Sequence, residues 1–179
     1  MKIFLIILSS FFFIAGCSKQ KVKPEINTTL STEELPAQES WNSTMFFTDS
    51  GATKAVLKTG HIRMYEKSQS TLLDSGVHID FYGPQENITT VLTSLRGRVN
   101  DATKDLYAID SVVAVSDSGV TLRSEELMWR NKDKKIVSDK FVTIVSPTEK
   151  IQGYGFESDQ GLKNYVIYNI TYITRNDSL

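Results

Sequence analysis

The side chains with the most reactive potential in this chain are one thiol, Cys17, two imidazoles, His61 and His78, and the adjacent carboxylates Glu125 and Glu126. Cys17 is the only cysteine, and it closes the run Ile14-Ala15-Gly16-Cys17. That run is the pattern of a bacterial lipobox, in which the thiol is acylated and a signal peptidase then cuts before it. The segment in front agrees. It carries one cation, Lys2, and an apolar run from Ile3 to Phe13, too short to span a bilayer, which takes about 20 such residues. The alternative is an uncleaved hydrophobic anchor followed by an idle thiol. A lone thiol in an exported chain otherwise sits free in an oxidising compartment, so lipid attachment is the chemistry expected of Cys17, with no redox or metal role.

The remaining groups do not assemble into a reaction. Neither His61 nor His78 reads as having a Cys, Asp or Glu beside it at ligand spacing, so no metal site and no cofactor are expected. No serine sits in a Gly-x-Ser-x-Gly turn, and Cys17 is committed to lipid, which leaves no nucleophile. Glu125 and Glu126 are neighbours on an extended chain and point to opposite faces, which suits solvated charge better than an acid/base pair. Gly153-Tyr154-Gly155 lacks the third glycine and the following helix of a phosphate loop and reads as a strand kink or close-packing point. The chain is therefore expected not to be an enzyme. A net charge of −1, with no basic stripe, excludes a bulk electrostatic preference for nucleic acid.

The elements that must carry these residues are strands. With 179 residues, 40% apolar and 23% charged, the composition suits one globular domain. A signal peptide over 1–16 and a lipid-anchored flexible tether over 17–43, with Pro24, Pro36 and the Lys19, Lys21 and Lys23 cluster, are expected to precede a β domain over 44–179. Alternating apolar residues predict strands at Lys54–Lys58, His61–Tyr65, Val77–Tyr82, Ile88–Leu95, Leu106–Ser116, Val120–Arg123, Ile136–Val137, Phe141–Val145, Ile151–Tyr154 and Tyr165–Ile173. Turn-rich clusters such as Asp74-Ser75-Gly76, Asp117-Ser118-Gly119 and Asp159-Gln160-Gly161 separate them. Only Glu125–Trp129 has any helical character, and its repeat partner argues against that.

The strands repeat. Asp110–Ser124 is echoed by Asp139–Gly153 at an offset of 29 residues, matching Val113 to Val142, Val115 to Ile144 and Leu122 to Ile151, and further on Leu127 to Phe156. A fixed period of this kind marks stacked copies of one unit, here a hairpin. On strict alternation Val113, Val115, Val142 and Ile144 share one face, joined by Leu122, Leu127, Ile151 and Phe156. Stacked hairpins with such a face offer a long apolar interior. The first strands, near Lys54, Val56 and Leu57, and the last, with Tyr165, Ile167 and Ile170, are the expected open edges, where a partner adds its own strand.

The run from Gly119 to Trp129, then Ile136–Asp139, Val142–Ile144 and Gly153–Asp159, resembles the LptC family, the periplasmic component of the lipopolysaccharide export transporter. Upstream, Gly76-Val77 to Phe81-Tyr82 and Leu92-Thr93 resemble the preceding strands of that family, so the likeness covers roughly 44–172. It implies an all-β fold, an open antiparallel β-jellyroll of stacked hairpins whose inner face holds the acyl chains of lipopolysaccharide. Partners so implied are lipopolysaccharide itself, an inner-membrane permease with its ATPase, and a soluble LptA-like jellyroll protein, joined edge to edge in a bridge toward the outer membrane. One departure stands out. The family is commonly held by an uncleaved transmembrane helix, whereas this chain carries a lipobox, and the expectation is a periplasm-facing protein lipid-anchored at the inner membrane. The alternative is an envelope assembly lipoprotein whose packed β domain docks other proteins and binds no lipid inside.

Overall fold

Alternating apolar and polar residues between turns of Asp, Asn, Ser and Gly fold as strands throughout. The computed structural model describes residues 35–175, so Cys17, the signal segment and most of the expected tether lie outside the described residues. Ten antiparallel strands form one sheet: β1 (Gln38–Asp49), β2 (Ala52–Tyr65), β3 (Ser70–Tyr82), β4 (Ile88–Ser94), β5 (Arg96–Asn100), β6 (Leu106–Ser116), β7 (Thr121–Arg130), β8 (Lys135–Val145), β9 (Glu149–Ser158) and β10 (Tyr165–Arg175). The sheet runs β1-β2-β3-β4-β6-β7-β8-β9-β10, and β5 continues the place of β4 between β3 and β6. This is the all-β jellyroll expected from the sequence. Glu125–Trp129 is strand, within β7.

Most strands are bent near the middle. The pairing slips at Thr59/His61, Ile109/Val112, Ser124/Met128 and Ser138/Phe141. Beside these slips Ser75, Asp110 and Ser111 hold φ of 62°, 65° and 52°, and Gly155 holds 74°. Each slip inserts unpaired residues and turns the strand. Lying side by side, they crease the sheet and fold it into two facing layers. Trp129, beyond the crease in β7, thereby meets Phe47 and Phe81 of the other half, with ring centroids at 5.4 and 5.8 Å. The core between the layers is tightly closed. Leu57, Ile79, Phe81, Leu122, Leu127, Trp129, Ile144 and Phe156 are each 1% exposed or less.

The crease explains a spacing that strict alternation forbids. Leu122 and Leu127 stand five residues apart, as do Ile151 and Phe156, yet all four point inward. An odd spacing on one face requires a bulge between, which β7 has after Ser124 and β9 has at Gly155.

Two expectations about the first strands do not hold. The β domain begins before residue 44, because β1 starts at Gln38, inside the segment read as tether. As an edge strand β1 buries only alternate residues in part, and Phe46, exposed between the partly buried Met45 and Phe47, breaks the apolar-polar alternation. Consequently Lys54, Val56 and Leu57 are not at an edge. They lie in β2, where Leu57 pairs with Met45 on one side and Ile79 on the other. The N-terminal edge is β1.

Candidate functional site

The inner face of the C-terminal half is built from cross-strand partners, which in a sheet share a face. Ala114 of β6 pairs with Leu122, Leu122 with Ile144, Ile144 with Ile151, and Ile151 with Ile173 of β10. Exposure along this row is 0, 0, 1, 8 and 51%. A parallel row ends the same way: Val142, fully buried, pairs with Gly153, and Gly153 with Ile170, which is half exposed. The apolar interior therefore runs out into solvent at the C-terminal edge.

Six of the residues expected to face inward do so: Leu122, Leu127, Val142, Ile144, Ile151 and Phe156. Val113 and Val115 do not. Val115 is 44% exposed and opposes Val91 and Thr121 on the outer face, while Val112 and Ala114 take the inward positions. The cause is one residue in a turn. Ala114 reaches its partner Leu122 across eight positions, whereas Ile144 reaches Ile151 across seven. The 29-residue offset thus holds for the second strand of each hairpin, Leu122 to Ile151. The first strand is offset by 30, Ala114 to Ile144, and a slip of one residue exchanges the two faces.

At β10 the edge is as expected, since among the described residues this strand pairs with β9 alone. Ile167 is buried, and beyond it Ile170, Tyr172 and Ile173 are about half exposed. Gly153 is the close-packing point read from sequence, because a Cβ there would lie 2.4 Å from the carbonyl oxygen of Asn169. Tyr165 packs on Phe156, and its hydroxyl donates to Glu149 Oε1 at 3.2 Å. Burial, and then the neighbouring Glu149 carboxylate, raise the phenol above its ordinary value.

Two rows of turns meet where the layers close, and there the interior is shut by polar contacts. Thr90 Oγ1 donates to the Gln160 carbonyl at 2.6 Å, and Gln160 Nε2 donates to the Lys54 carbonyl at 3.2 Å. Lys134 approaches Asp49 at 3.8 Å and Lys163 approaches Asp117 at 3.9 Å. Between them Leu162, in the β9–β10 turn, joins the core at 1% exposure. Sequence reading missed Val112, Ala114 and Leu162. Leu162 left one trace, as an isolated large apolar residue in an otherwise polar turn.

Charge is kept outside this interior. Among the described residues Asp80 is the one buried ionisable side chain. It belongs to the opposite face of β3, accepting from His78 Nε2 at 2.8 Å and Lys58 Nζ at 3.4 Å. His78 therefore does have an acidic neighbour two residues along its strand, contrary to the reading from sequence. The group is a salt-bridged cluster, and no set of three metal-ligating acidic, His or Cys side chains occurs among the described residues. His61 stacks on Trp41 with centroids 5.1 Å apart.

A second cluster ties β7, β8 and β9 together. Arg130 forks onto Asp133 at 2.6 and 2.8 Å and reaches Glu157 at 3.3 Å, and Lys135 also donates to Glu157. The Lys135 hydrogen bond, then that of Arg130, holds Glu157 below the ordinary value of 4.5. Arg130 does the same to Asp133. A depressed carboxyl pKa contributes stability that is present above the unfolded value and lost as pH falls through the folded one. Thermal melts from pH 6 downward should thus show a small decline beginning near pH 4.5, and Glu157→Gln should reduce it. An unchanged acid limb in that variant would remove Glu157 from the explanation.

The described surfaces are an apolar row that opens at the C-terminal edge and two outer strand edges, β1 and β10. A family model described as LptC, lipopolysaccharide-assembly, LptC-related, matches residues 3–172. A search of curated proteins finds no match.

Proposed function

The chain belongs to the LptC-related lipopolysaccharide-assembly family, and on that premise we propose that it accepts lipopolysaccharide from an inner-membrane permease and hands it along a bridge of jellyrolls toward the outer membrane. The family acts in lipopolysaccharide transport, in the periplasm beside the inner membrane, as a non-enzymatic component. The observation that carries the finer reading is the apolar row from Ala114 to Ile173, buried at one end and half exposed at the edge strand. Acyl chains need only a continuous apolar surface, and each CH2 buried contributes roughly 0.8 kcal/mol. Leu122, Leu127, Val142, Ile144, Ile151 and Phe156 supply that surface.

In this reading β10 and β1 each add to the sheet of a neighbour, one of them the permease's periplasmic domain and the other a soluble LptA-like jellyroll. The work of moving lipid comes from the permease's ATPase, because this chain carries no nucleotide motif. Cys17 anchors the protein in the inner membrane through its lipid, with two or more chains making attachment effectively permanent. Photoreactive residues placed at Ala114, Ile144 and Ile173 are expected to capture lipopolysaccharide in cells, with little capture from Val115. Equal capture at Ala114 and Val115, or none at any inner position, would sink the groove assignment.

The tight closure of the interior, with Leu122 and Ile144 at 0 and 1% exposure, favours one other reading. There the chain is an envelope assembly lipoprotein whose filled core only supports docking of other proteins. Lipopolysaccharide co-purifying with the intact protein decides against it.

A further inference from the structure

The turn that joins β9 to β10, residues 159–164, is polar apart from Gly161 and Leu162. Leu162 nevertheless sits at 1% exposure in the same apolar cluster as Leu57, Phe81 and Ile144. Its φ is 52°, and among the described residues it is the one apolar residue other than glycine held at positive φ. That conformation crowds the Cβ of an L-residue against the backbone, so a leucine stays there only when its surroundings impose it. The turn is braced from within: Asp159 accepts from the amides of Lys163 and Asn164 at 3.0 and 3.2 Å and from Asn164 Nδ2 at 2.7 Å. It moves, if at all, as a unit.

Among the described residues its polar attachments to the facing layer are few. They are the two hydrogen bonds of Gln160, to Thr90 and to Lys54, and the 3.9 Å approach of Lys163 to Asp117. On its own side the turn continues into β10, which among the described residues has no neighbour beyond it. A strained apolar side chain thus plugs the interior, on a rigid turn hinged to an edge strand and latched across by a small number of polar contacts.

We propose that the β9–β10 turn is a displaceable stopper: Leu162 occupies space that an acyl chain takes when lipid is loaded, and the Gln160 contacts are the latch that lipid entry opens. The inference rests on the lipid-carrying reading above. Displacement trades the burial of Leu162 for burial of the incoming chain and relieves the left-handed backbone, so the closed form is a filled resting state and the turn sets how readily it loads.

The test uses the full-length protein in detergent and fluorescently labelled lipopolysaccharide. Leu162→Gly removes the plug and suits the φ of 52°, and its initial uptake rate is expected to rise several-fold. Gln160→Ala keeps the plug and removes the Lys54 half of the latch, leaving the Thr90 bond to the main-chain carbonyl in place, and should raise uptake by a smaller factor. In the unmodified chain, hydrogen exchange at the amides of 161–164 should speed up when lipopolysaccharide is loaded, while β7 and β8 slow. Uptake equal to or slower than the unmodified chain in Gln160→Ala, or exchange at 161–164 unchanged or slowed on loading, overturns the stopper even where Leu162→Gly fails to fold. Lipopolysaccharide captured at Ala114 with no response from the turn defeats this inference alone. No retention by any form defeats the lipid-carrying reading together with it.

Discussion

Replacing Ile170 and Ile173 together by lysine is expected to sever the protein from the neighbour at its C-terminal edge and to stop export, while the fold stands. Both side chains are about half exposed on the last strand, at 50 and 51%. Substitutions at such positions usually change stability by less than about 0.5 kcal/mol. Docking is another matter. An incoming strand must bring its own side chains against this row, and lysine on an open edge is the device by which proteins prevent edge-to-edge pairing. Two desolvated ammonium groups without partners cost several kcal/mol by order of magnitude, enough to lose a contact of ordinary affinity. On the docking proposed above, co-purification should fail with one neighbour and persist with the other, assigned there to β1. Retention of both neighbours by the double variant would show that β10 is not a docking edge.

The second large effect separates two adjacent residues. Ala114→Asp should come close to unfolding the domain, whereas Val115→Asp should be tolerated within about 1 kcal/mol. Ala114 is fully buried between Leu92 and Leu122, and Val115 is 44% exposed between Val91 and Thr121. A carboxyl fully buried among apolar groups has its pKa raised by up to about 3–5 units, each worth about 1.4 kcal/mol at neutral pH. A loss near 5 kcal/mol is comparable with the whole stability of a domain, about 5–15 kcal/mol. Because the raised pKa penalises the charged form, the Ala114→Asp deficit should shrink as pH falls through the raised folded-state value, about 7 or above, toward the unfolded value of about 4. Thermal melts of both variants at pH 7.5 and pH 5 measure this, and equal midpoints would contradict the observed facing of β6.

Local chemistry alone carried much of the fold. Turns at Asp117-Ser118-Gly119 and Asp159-Gln160-Gly161, and the alternation of Leu122 with Thr121 and Arg123, are nearest-neighbour effects, legible without any tertiary contact. The face of β6 was not legible in the same way. The echo between Asp110 and Asp139 scores similarity, and valine at 113 and 115 scores as well against Val142 and Ile144 as the true partners Val112 and Ala114 would. Only cross-strand pairing shows that the turn after β6 is one residue longer than the turn after β8. β1 escaped for a related reason, since an edge strand covered on one side needs few apolar residues.

Legible in the sequence, therefore, were a stacked antiparallel β scaffold with an apolar interior and an edge strand at Tyr165–Ile173. Those properties follow from side-chain type and short-range order. Tertiary structure alone decided which residues of β6 face inward, that β1 forms the N-terminal edge, and that Leu162 closes the interior from a polar turn. Each depends on contacts between residues far apart in the chain, such as Gln160 with Lys54 and Thr90. Such partners meet only once the creased sheet has folded on itself, and the period of any one segment carries no record of them.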